Sequence, residues 1–207
     1  MLKKAVFVML AAVMVSTFAA ADGLPAYYTN DVYWVSYFNK PDPIIIIIQP
    51  ADQFVYIINS GYIGTPLSSN EGTLCANIYV FDAIQEMVEC CACPITANAL
   101  LALSVNNSLT ANPLTSVAPA SGVIKLVSTL PNGTSCDPTK AGTLSPDLRA
   151  WATHLQQPTT GTFITTEAPF LPAPLATGGT SVEEGFLPQA CSFAQYLGTG
   201  KAVCACQ

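Results

Sequence analysis

Charge is scarce in this sequence and histidine is almost missing. Only 10% of the 207 residues are Asp, Glu, Lys or Arg, and His154 is the sole imidazole. Seven basic residues face thirteen acidic ones. A chain so poor in cations cannot neutralise phosphates, so neither nucleic acid nor an anionic membrane surface is expected as a partner. A serine or cysteine nucleophile would need His154 as its base, and no G-x-S-x-G elbow supports that arrangement. Calcium would need a D-x-D-x-D-G loop and haem a C-x-x-C-H, and both are missing. Beyond residue 21 no stretch offers the roughly 18 uninterrupted apolar residues that a spanning helix requires. No cofactor, no metal and no enzymatic activity are expected.

Apolar residues, by contrast, are abundant at 51%. A disordered chain shows the reverse balance, so most of this one should be packed. Thr, Ser, Asn and Gln must then cover the surface, as in many exported structural proteins.

The first residues read as a secretory signal peptide. Lys3 and Lys4 precede an apolar run over residues 5–15, and Ala19-Ala20-Ala21 is an A-x-A cleavage site. The mature chain is expected to be residues 22–207, one secreted β-rich domain. Losing two of seven basic residues leaves five against thirteen acidic ones, a net charge of −8.

Eight cysteines follow: Cys75, Cys90, Cys91, Cys93, Cys136, Cys191, Cys204 and Cys206. An even count in an exported chain reads as disulfides. Zinc sites favour C-x2-C knuckles or mixed Cys/His sets, whereas Cys91/Cys93 and Cys204/Cys206 are spaced C-x-C. Cys90 and Cys93 have redox C-x-x-C spacing, but no βαβ unit surrounds them. "CANIYVF" and "EMVECCAC" are strand-like, and "DAIQ" between them turns. In such a hairpin a three-residue loop places Cys75 opposite either Cys91 or Cys93, depending on which residues form it. Cys75 is therefore expected to bridge within the cluster, with Cys191, Cys204 or Cys206 taking the others.

Short β-rich runs recur along the chain. They include the aromatic "YYTNDVYWVSYFN", "FVYIIN", residues 100–105 and "GVIKLVST" over residues 122–129. Turn signals about every ten residues point to an antiparallel β-sandwich. Ile44, Ile45, Ile46, Ile47 and Ile48 stand between Pro43 and Pro50, and β-branching with flanking prolines favours a strand. With no polar alternation the run must be buried on both faces. It is either a central strand or an assembly strand, within residues 22–50, that completes a neighbouring subunit. Tyr28, Tyr33, Trp34 and Tyr37 suggest a sugar-stacking or subunit contact beside the commoner role of core packing. Two short helices are expected. "SPDLRAWATHLQ" has Ser145 as cap and Pro146 at the first position, and "LPQACSFAQYLG" stops at Gly198.

The stretch "GTLCANIYVFDAIQEMVECCACPITANALLALSVNNSLTANPL", with "LRAWATHLQ" and "QACSFAQYLGTGKAVCAC", resembles a group of secreted bacterial proteins of no established activity. The resemblance covers most of the chain after Val55. It implies an exported bacterial location and brings no catalytic residues.

These readings converge on a disulfide-stabilised, mainly β scaffold that is secreted or held at the cell surface. The expected function is that of a non-catalytic structural or fibre subunit, whose partner is itself. The alternative is a monomeric module binding a cell-surface glycan or another surface ligand, and behind it stands a hydrolase without recognisable motifs.

Overall fold

The computed structural model describes residues 31–40, 52–61, 72–156, 164–175 and 182–206. Nine strands and one α-helix occur among them: β1 (Tyr33–Asn39), β2 (Phe54–Asn59), β3 (Leu74–Asp82), β4 (Met87–Ile95), β5 (Leu100–Ser104), β6 (Ser121–Thr129), β7 (Leu148–Gln156), β8 (Ile164–Pro169), β9 (Leu171–Pro172) and α1 (Val182–Gly198). A single π-type turn, Val105–Leu109, follows β5.

The strands form two antiparallel sheets, β4-β3-β6-β1-β9 and β5-β2-β7-β8, packed face to face. Inward residues interlock in rows. In the first sheet Trp34 lies opposite Leu126, Leu126 opposite Ile78, and Ile78 opposite Cys91. All four belong to one buried cluster with Val55, Ile57, Leu103 and Leu148 of the second sheet. This is the alternation a sandwich demands, since side chains in a strand point to opposite faces in turn.

The outer face of the first sheet is also covered. Tyr33, Tyr79, Phe81 and Val127 pack there against Leu187 and Cys191 of α1. β3 is consequently buried on both faces, which explains why "LCANIYVF" is apolar at nearly every position. Among the described residues no helix is long and apolar enough to cross a membrane.

One expected helix is a strand. "LRAWATHLQ" matches helical spacing through Leu148, Trp151, Ala152 and Leu155, but it also alternates. In β7 Leu148, Ala150, Ala152 and His154 are buried, while the residues between them face outward. Pairing with β2 on one side and β8 on the other satisfies the β7 backbone, and this tertiary context outweighs the local cap signal. The second expected helix is present as α1. It ends at Gly198 as read, begins earlier than read, and is tied through Cys191.

Candidate functional site

All eight cysteines are paired: Cys75–Cys136, Cys90–Cys191, Cys91–Cys204 and Cys93–Cys206, with Cα–Cα separations of 5.5, 5.8, 5.2 and 5.4 Å respectively. Cys75 is not bridged within the 90–93 cluster, and a β-bulge is the reason. Phe81 pairs with Met87, but the register shifts between Val80 and Phe81, so Val80 faces Glu89. One inserted residue swaps the faces that the simple hairpins would align. Cys75 falls opposite Pro94 rather than Cys91 or Cys93, and reaches the 130–147 loop at Cys136 instead. Cys91 and Cys93 face the inter-sheet core, and Cys90 faces α1.

The segment 202–206 lies along the free edge of β4. Cys90 N donates to Ala202 O (3.0 Å), and Cys204 N donates to Cys90 O (3.3 Å). Two bridges fasten it side by side, which brings the Sγ atoms of Cys91, Cys93 and Cys206 within 4.8 Å of one another. As disulfides these sulfurs present no thiolate to a metal.

A polar cluster occupies one end of the sandwich. Gln53 Nε2 donates to Asn39 O (2.6 Å), and Asn39 N donates to Gln53 Oε1 (3.4 Å). The chain therefore leaves β1 and re-enters before β2 at adjacent points. Asp52 accepts from Gln53 N (2.8 Å) and Asn106 N (3.1 Å) and from the Ser104 hydroxyl, which anchors the π-type turn. Lys40 Nζ donates to Thr110 Oγ1.

Beside them sits Glu89, fully buried on the inward face of β4. Its Oε1 accepts from Asn112 N (2.7 Å), and its Oε2 has no partner. Burial raises its carboxyl to about 7, against the smaller opposing pulls of the Asn112 hydrogen bond and the Lys40 charge. Burial likewise lowers the Lys40 ammonium. The cluster can hold or release a proton near neutrality. It does not assemble a glycosidase pair: Asp82 caps the hairpin turn through Ile84 N and Glu86 N, Glu86 is exposed, and only Glu89 points inward. Asp137, another isolated carboxylate, is held down to about 2 by Lys140 and Thr139.

Of the aromatic residues singled out in the sequence, Tyr33 and Trp34 are buried, in the outer and inner clusters respectively. Tyr37 is 54% exposed and stacks on His154, with ring centroids 4.3 Å apart and planes 14° off parallel. His154 is buried, its Nδ1 lacks a partner, and burial lowers its pKa. Tyr28 and the isoleucine run, residues 44–48, lie outside the described residues.

Sequence reasoning missed the inward placement of Glu89, because the bulge that sets it has no composition signature. It also missed the apolar outer face of α1, although the spacing of Phe186, Phe193 and Leu197 displays it. Comparison of the chain with protein-family models, curated proteins and solved structures found no match.

Proposed function

We propose that this protein is a non-catalytic, exported structural subunit that assembles outside the cytoplasm by strand addition, with the isoleucine run as the donated strand. The observation that carries this reading is the Asn39–Gln53 clasp. Asn39, at the end of β1, and Gln53, just before β2, are bonded to each other, so the two described positions that flank the isoleucine run lie side by side. An apolar run attached in that way needs a partner surface to cover it. An acceptor edge is at hand in β8, whose outer side pairs with no described strand and whose residues are largely exposed. Four disulfides suit the oxidising setting in which such subunits work.

The test is sedimentation of the oxidised, secreted chain. The intact protein should form large, denaturant-resistant species, and Ile45→Asp/Ile47→Asp should leave nothing larger than a dimer, with native circular dichroism retained. Intact protein that forms nothing larger than a dimer at high concentration would refute strand addition.

One observation favours a second reading. The Tyr37 ring is braced from beneath by His154 and half open to solvent, a geometry that suits stacking on a sugar face. Retention of a monomer on a glycan column, lost on Tyr37→Ala, would support a monomeric glycan-binding module instead.

A further inference from the structure

A helix packed on a sheet normally turns a polar face outward, and α1 exposes Gln189 and Ser192 there, but an apolar flank runs beside them. Leu187, Cys191 and Ala194 point into the protein. Outside that buried face Phe186 is 47% exposed, Phe193 64%, Tyr196 80% and Leu197 52%. Val203, just beyond the helix, is 42% exposed. Phe186, Ala190, Phe193 and Leu197 recur at steps of four, three and four, so they form one stripe along the helix. No other element of the described residues gathers so many open apolar side chains.

We infer that this stripe is a two-fold interface, and that its occupant is α1 of a second copy of this chain, running antiparallel. The stripe is complementary to itself. Antiparallel alignment about its midpoint sets Phe186 against the second copy's Leu197 and Phe193 against the second copy's Ala190. Phe193 thus meets a small residue and Phe186 packs on an aliphatic one, as knob-and-hole helix packing allows. Charge agrees with the same direction. Glu183 stands at the start of the helix and Lys201 just past its end, so antiparallel approach brings each acidic end toward the other copy's basic end. Both groups keep their intrachain contacts, Glu183 with Lys125 and Lys201 with Ser116.

The area is sufficient. The three open rings together expose about two whole aromatic side chains, roughly 400 Å² of apolar surface, and Leu197 and Val203 extend it. Doubled by the two-fold axis, this reaches about 1,000 Å², where specific interfaces begin. A surface of this kind is not normally left open on a soluble monomer.

This inference does not rest on strand addition. Its test is photo-cross-linking of the oxidised full chain carrying benzoylphenylalanine at position 193. The expected product is a covalent dimer in which the linked peptide contains Ala190. Phe193→Glu, at an exposed position that should leave the fold intact, should weaken dimerisation by at least about thirtyfold in sedimentation equilibrium. Ile45→Asp/Ile47→Asp should leave the cross-link unchanged. Three outcomes would each overturn the inference: no covalent dimer, cross-links to lipid vesicles or to peptides remote from α1, or a Phe193→Glu chain that dimerises as tightly as the parent.

Discussion

Glu89 and His154 are buried ionisable groups that pull the stability of the fold in opposite directions with pH. Glu89 has a raised folded pKa, so its contribution is full below its ordinary value of 4.5 and is lost as pH climbs through about 7. His154 is lowered, so its neutral form fits the folded state. Its contribution is full above its ordinary value of 6.5 and is lost as pH falls below it. Glu89→Gln should therefore gain on the parent between pH 4.5 and 7, by on the order of 3 kcal/mol at the plateau, in urea titrations repeated across pH. His154→Leu should gain only below pH 6.5. A Glu89→Gln chain with an unaltered pH profile would mean that the carboxyl is solvated. Neither role is legible in the sequence. An acid directly before two cysteines and a histidine in an amphipathic stretch both look like surface groups until strand register is known.

At the scale of elements, the tandem bridges on β4 should not act independently. Cys91–Cys204 and Cys93–Cys206 each close a sequence separation of 113 residues. Once one has formed, the other closes a ring of only a few residues. Cys90–Cys191 shortens the loop that the first of these bridges closes to roughly 16 residues, so loop-closure entropy assigns about 2 kcal/mol to the second bridge and about 3 to the first. Replacing either pair with serines should cost about 2 kcal/mol, and replacing both about 5, more than twice that. Additive losses in a double-mutant cycle would show that strain or residual structure dominates. These same elements mark where sequence reasoning succeeds. β3, β4, β5 and β6 are readable because β-branched runs end at turn residues such as Asp82. β7 is misread because Leu148–Gln156 satisfies two periodicities, and only its neighbours β2 and β8 choose between them. Cys75 is misread because one bulged residue reverses its face.

For the whole molecule, burial and cross-links share the work of stability. The 130–147 loop is pinned covalently at Cys136, and α1 and the segment 202–206 are bridged to β4. Full reduction should move the urea midpoint far lower, while selective loss of Cys75–Cys136 should release the 130–147 loop and leave both sheets paired. Hydrogen exchange on the two forms would separate these outcomes. The sandwich class is legible from composition and turn spacing alone, because alternation and cysteine parity are local. Sheet order and the outward apolar stripe of α1 are not, since they depend on which surfaces meet.

The fastening of residues 202–206 along β4 has a consequence for how the chain matures. In the export proposed above, Cys90, Cys91 and Cys93 would cross 101 to 113 residues ahead of their partners. Throughout that interval the margin of the first sheet is unsealed and three thiols wait together, able to join wrongly among themselves. Oxidation that comes too early would trap the polypeptide half-built, so refolding of the reduced chain should give more native protein when a disulfide isomerase is present to reopen such mistakes.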